Sequence, residues 1–204
     1  MTRIVALSGG LSESSSTRLL TDRIVESVER QLPGASVATV TLRELAHDIT
    51  DATLIGFASP RLQDVIDKVV AADGLVVAVP IYKASFPGLF KSFIDALDAD
   101  AITGKPVLLA ATGGTARHSL AIDHSLRPLF AHLQALVVPT GIFASTHDWG
   151  TEGSNALGER VDRAAGELTS LVSGSGTGRV REDELDLFSE TFLAASRPPV
   201  RPGA

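Results

Sequence analysis

A chain of 204 residues with a formal net charge of −6 is long enough to bury one sizeable core. It is too acidic, and too poor in clustered Lys and Arg, for a sequence-independent grip on DNA or RNA. It contains no cysteine, which excludes disulfides, thiolate nucleophiles, Cys-ligated zinc and iron–sulfur clusters.

The N-terminus passes from Met1 through Arg3 straight into Ile4-Val5-Ala6-Leu7, a strand pattern and not a leader. No apolar run approaches the roughly 20 residues needed to cross a bilayer, so a soluble, cytoplasmic protein with no membrane partner is expected. Beyond residue 8, short apolar runs alternate with longer amphipathic stretches. That is the rhythm of βαβ units around a parallel sheet buried on both faces.

Residues 3–8 predict the first strand. Residues 17–31 carry Leu19, Leu20, Ile24 and Val28 on one helical face, and Pro33-Gly34 stops that helix. Residues 36–42 predict the second strand. Pro60 opens a helix over 60–72 with Leu62, Val65, Ile66 and Val69 on one stripe, and the apolar run 74–80 predicts the third strand. Pro87 opens a short helix to residue 96 that turns Phe90, Phe93 and Ile94 inward. Residues 105–112 predict a fourth strand, 117–134 a helix, 135–141 a fifth strand and 155–173 a last helix. These elements predict one α/β domain with a doubly wound sheet over residues 1–173. Gly174-Ser-Gly-Thr-Gly178 has neither the spacing nor the preceding strand of a dinucleotide fingerprint and reads as a linker. An amphipathic helix over 182–195 and a Pro-rich tail from Arg197 are expected after it.

Three strand ends carry the residues suited to chemistry. Residues 8–17, Ser-Gly-Gly-Leu-Ser-Glu-Ser-Ser-Ser-Thr, combine hydroxyl donors, flexible glycines and a helix N-terminus, the ingredients of a phosphate site. The same serines would also serve as a plain helix cap with no ligand. No Walker lysine is present, which argues against a nucleoside triphosphate with magnesium. The third strand ends in Pro80-Ile81-Tyr82-Lys83-Ala84-Ser85, offering a planar ligand an aromatic wall and backbone donors. The fourth ends in Thr112-Gly113-Gly114-Thr115, where backbone can approach a ring closely. Either turn alone could be punctuation between elements. Doubly wound sheets, however, bind ligands beyond the carboxyl ends of their strands.

With the stretch His118-Ser-Leu-Ala-Ile-Asp-His-Ser-Leu-Arg-Pro128, these motifs resemble the flavodoxin-like NAD(P)H-dependent FMN reductases. Within that family they resemble the reductase components of two-component alkanesulfonate monooxygenases. The resemblance covers about residues 1–170. It implies a five-stranded parallel sheet of order 2-1-3-4-5 with helices on both faces, and FMN with NADPH or NADH as ligands. It places the FMN phosphate on Ser8, Ser14, Ser16 and Thr17. Pro80, Ile81, Tyr82, Lys83 and Ser85 would lie along the isoalloxazine, and Thr112, Gly113, Gly114 and His118 would border its pyrimidine side. Many family members have arginine in the phosphate loop, whereas Gly10, Leu11 and Ser12 stand there in this chain, with Arg18 the nearest cation.

Pro128 falls inside the helix expected over 117–134 and cannot donate to the carbonyl of His124, so a kink is expected. The resemblance implies a π-bulge at His124 lying at a subunit interface, in a homodimer or homotetramer. His47, His132 and His147 share no spacing with acidic residues that would make a metal site, and no metal is expected. A Gly-x-Ser-x-Gly elbow is also missing. The activity implied is hydride transfer from NAD(P)H to FMN by positioning, with no catalytic side chain, and delivery of reduced FMN to a luciferase-like monooxygenase. Two competitors stay open: a reductase of quinones, azo dyes or metal oxyanions with FMN permanently bound, and a flavodoxin-type electron carrier without enzymatic activity.

Overall fold

Val, Ile, Leu and Ala fill the central strands because helices cover both faces, leaving no strand face for polar side chains. The computed structural model describes residues 1–12 and 15–174. Ser14, residues 175–178 of the expected linker, the helix expected over 182–195 and the Pro-rich tail lie outside the described residues. Strands β1 (Arg3–Ser8), β2 (Ser36–Thr41), β3 (Gly74–Pro80) and β4 (Pro106–Gly113) run parallel. The sheet order is β2-β1-β3-β4-β5, where β5 is Leu136–Val137. A further segment, β6 (Ile142–Ser145), also pairs with β4. This is the flavodoxin-like order expected from the sequence.

Helices α1 (Ser16–Gln31), α2 (Ala46–Ile55), α3 (Pro60–Ala71), α4 (Gly88–Asp95), α5 (Arg127–His132) and α6 (Thr151–Gly174) flank the sheet. The period-2 alternation of β1 divides the core into two layers. Val5 and Leu7 pack with residues of α2, α3, α4 and α5, whereas Ile4 and Ala6 pack with α1 and α6. Residues Met1–Val172 form one compact unit.

Three departures from the expected elements are informative. First, α2 and the 3-10 turn before it (Leu42–Leu45) were not foreseen. Their buried residues Leu42, Leu45, Ile49 and Ala52 do recur at helical spacing, but the stripe is short and interrupted by Asp and Thr. Second, the helix expected over 117–134 divides into a 3-10 turn (Ala116–His118), a π turn (Ile122–Leu126) and α5. The π turn contains His124, and the N–H of Arg127 reaches back five residues to the carbonyl of Ile122. Pro128 follows directly.

Third, the run 135–141 is not one strand. Val137 lies opposite Val107, and Ile142 lies opposite Ala110. Two residues of β4 (Leu108 and Leu109) are therefore matched by four (Val138 to Gly141), a bulge with two extra residues. Its backbone groups find partners in side chains. Arg127 donates to the carbonyls of Val138 and Pro139, and Glu167 of α6 accepts from Thr140 N–H at 2.7 Å and from Thr140 Oγ1 at 2.6 Å. An unpaired, partly buried donor costs about 1–3 kcal/mol. Glu167→Ala is expected to lower stability by about that amount, read as a lower denaturant midpoint at unchanged m-value. An unchanged midpoint would show that water replaces the carboxylate at no cost.

Candidate functional site

Parallel pairing sets Ser8 beside Ala78 and Pro80 beside Thr112, so the loops leaving β1, β3 and β4 emerge together. Over their tips lies an open cleft of about 260 Å3.

The first loop forms one wall. Gly9 N–H donates to the Ala78 carbonyl at 2.8 Å, turning the chain over the sheet edge. At Gly10 the backbone runs so close to the start of α1 that a Cβ would lie 2.4 Å from Ser15 Oγ and would push that N-cap hydroxyl aside. Ser15 is the N-cap of α1 and accepts from Thr17 N–H at 3.2 Å. The hydroxyls of Thr17 and Thr112, both buried, meet at 2.7 Å and tie the start of α1 to the tip of β4. Ser12, Ser15, Ser16 and Thr17 face the cleft from this side.

The second wall is the turn after β3, where Pro80, Ile81 and Tyr82 line the cleft. Tyr82 and Ser85 exchange backbone hydrogen bonds of 2.8 and 3.2 Å around Lys83 and Ala84, whose φ angles are 51° and 67°. Two consecutive left-handed residues make the tight turn that elsewhere favours Asn-Gly. Neither residue here is glycine, so the turn stores strain of about 1–3 kcal/mol per residue, a pattern that clusters at ligand sites.

Thr112, Gly113 and Gly114 form the third wall. A Cβ on Gly113 would lie 2.9 Å from Phe143 Cζ, so a larger residue there would have to displace that ring. Thr146, in the 3-10 turn Thr146–Trp149 after β6, completes the lining.

Of the expected residues, Ser16, Thr17, Pro80, Ile81, Tyr82, Thr112, Gly113 and Gly114 thus share one cleft. Lys83 and Ser85 belong to the turn without lining it. Ser8 lines an adjoining cavity of about 130 Å3 that shares Ser12 and Ser15 with the cleft and is lined also by Arg18, Arg43 and Thr41, and its buried Oγ has no partner among the described residues. His118 lines a third cavity with His124, although its Cβ lies 3.6 Å from where a Cβ on Gly113 would stand. Ser14 lies outside the described residues. Ser12, Ser15 and Thr146 line the cleft without having been singled out. Ser15 carried a legible signal as an N-cap, whereas Thr146 is brought in only by the tertiary fold. Trp149 packs at the core edge under Arg23, whose guanidinium carbon lies 5.2 Å from the ring centre.

The cleft therefore offers a hydroxyl-rich helix N-terminus at one end and strained or glycine backbone around a flat space at the other. That donor set suits a phosphate attached to a planar ring system. Residues 2–150 match the family model of NADPH-dependent FMN reductases.

The chain belongs to that family.

It is 39% identical over 174 residues to an FMN reductase (NADPH) of Pseudomonas aeruginosa, covering 84% of this chain and 93% of the relative. It is 41% identical over 170 residues to the NADH-dependent FMN reductase SfnE of Pseudomonas putida, covering 82% and 91%. Among solved structures it is similar to an oxidoreductase from Corynebacterium diphtheriae, with a TM-score of 0.82 and 45% identity, covering 85% of this chain and 97% of that one.

Among the described residues no helix is long and apolar enough to cross a membrane, and no group of three or more His, Asp or Glu is arranged to hold a metal.

The turn that carries Thr146 is held by Asp148, whose Oδ2 accepts from Ser145 N–H at 2.7 Å and Ser145 Oγ at 2.6 Å. Burial pushes the Asp148 carboxyl up, but these bonds, with Arg160 and His147 nearby, outweigh burial and hold it below its usual range. A depressed folded value stabilises the fold above the unfolded value of about 4, and that contribution is lost as pH falls through the folded value. Asp148→Asn is expected to lower the denaturation midpoint at pH 7, with the gap from wild type narrowing in acid. A gap independent of pH would refute this account.

Proposed function

We propose that this chain reduces FMN with NADPH or NADH as an exchanging substrate and releases reduced FMN to a partner flavin-dependent monooxygenase of the luciferase-like class. One observation carries the choice of exchange over permanent binding. Among the described residues the cleft is lined by hydroxyls, backbone, Pro80, Ile81 and Tyr82, with no Lys, Arg or His, and Arg18 and Arg43 line only the adjoining cavity that shares Ser12 and Ser15 with it. A phosphate dianion held by neutral donors is held less firmly than one paired with a cation, which favours release.

In this reading Ser12, Ser15 and Ser16 donate hydroxyls to the phosphate at the positive end of α1. The Ile81 and Tyr82 backbone and Gly113-Gly114 border the ring. FMN supplies the hydride-accepting chemistry, while the protein contributes position and exclusion of water. Among the described residues no carboxylate or histidine lines the cleft, and in this reading the chain supplies no general acid or base. Thr17 acts through its bond to Thr112 by keeping the start of α1 over the β4 tip. The assembly proposed with this activity is a homodimer or homotetramer.

Two measurements test the reading. Steady-state NAD(P)H oxidation should rise and saturate with added FMN. Purified protein that stays yellow, ignores added FMN and responds to a quinone would overturn it in favour of a bound-flavin reductase. Replacing Ser16 with alanine should raise the FMN dissociation constant about tenfold, the weight of one hydrogen bond to a charged group. Unchanged affinity would mean the phosphate sits elsewhere.

A further inference from the structure

Next to the flavin cleft, beyond Gly113 and the Tyr82 turn, lies a separate open cavity of about 220 Å3. Its polar lining differs from that of the cleft. Arg117, His118, His124 and Ser125 face it, no carboxylate among the described residues does, and Ala84 brings the strained turn to its edge with Lys83 adjacent. A chain of net charge −6 thus sets one guanidinium and two imidazoles at one opening. The nearby Asp123 is engaged by Arg127 at 2.7 Å. Arg117 makes no hydrogen bond or ion pair with the described residues, and it is exposed, so its guanidinium is uncommitted.

Left-handed Lys83 and Ala84 carry the turn to one side of the cavity. The π turn Ile122–Leu126 carries His124 to the other, and π turns frequently mark functional positions. His118 connects the two spaces, because it lines this cavity while its Cβ packs beside Gly113 of the cleft.

We propose that this cavity binds the 2′-phosphate of NADPH, with Arg117 as the principal contact, and that it makes the enzyme prefer NADPH to NADH. The inference rests on the flavin-reductase reading above. A dinucleotide with its nicotinamide at the flavin has its adenosine half left to seat, and the neighbouring space is the one lined by a guanidinium. A guanidinium presents two parallel N–H donors to a phosphate and retains its charge at all working pH values.

The test combines binding and turnover. Calorimetry should show 2′,5′-adenosine bisphosphate binding wild type at least tenfold more tightly than 5′-AMP, and Arg117→Ala should remove that difference. In steady state, Arg117→Ala should raise KM for NADPH about tenfold or more while kcat/KM for NADH stays within about twofold and FMN affinity is unchanged. Lys83→Gln should produce a smaller change of the same kind. Equal losses for both coenzymes would assign the cavity to a group they share, such as the pyrophosphate, and overturn the proposal, as would no loss for either. If wild type oxidises neither coenzyme in the presence of FMN, the proposed function fails, whereas the calorimetry still reports on the cavity.

Discussion

Parallel strand pairing is the constraint on which the rest of this molecule depends. Each βαβ crossover returns the chain over a face of the sheet, so β1, β3 and β4 all finish at one edge, with Ser8 beside Ala78 and Pro80 beside Thr112. Three loops far apart in sequence become neighbours without any direct attraction between them. The hydroxyl pair of Thr17 and Thr112 then sets the spacing between the start of α1 and the β4 tip. Glycine at positions 10 and 113 allows the walls to close where a Cβ would press on Ser15 Oγ and on the Phe143 ring.

A second region is organised around a local defect. Two extra residues in the fifth strand position leave backbone groups that cannot join the ladder, and two charged side chains take them up: Arg127 for the carbonyls and Glu167 for Thr140. Arg127 follows immediately on the π turn, so the irregular helix and the irregular strand share one residue. Gly141 lies against the same turn, where a Cβ would come within 2.9 Å of Ile122. The bulge carries β6 back onto β4, and β6 leads to the turn that places Thr146 over the cleft.

Charge is partitioned between adjacent spaces. Among the described residues the candidate cleft is lined by hydroxyls and backbone without a cation, and the cavity beyond Gly113 by Arg117 and two histidines without a carboxylate. Neutral donors give a phosphate a specific seat with moderate hold. Cations give a phosphate a stronger and more charge-dependent one. The contrast is what supports the two proposals, FMN as an exchanging ligand of the cleft and a more highly charged coenzyme in the neighbouring space.

Much of this was legible in the sequence. The first four strand runs lie within one or two residues of the observed strands, because a strand buried on both faces must be almost wholly apolar and a helix on that sheet must repeat every three to four residues. The serine loop, the Tyr82 turn and the two glycines after β4 were each readable as ligand-contacting types. Less legible were α2, with its short and interrupted stripe, and the break at Pro139, where one apolar run contained two registers. The cleft's membership was not legible at all for Thr146, nor was the separation of Ser8 and His118 into neighbouring cavities. Local period and residue type report which face of an element is buried and what it can donate. Which side chains then share one small volume depends on register, bulges and crossovers, and those are settled only when the strands pair.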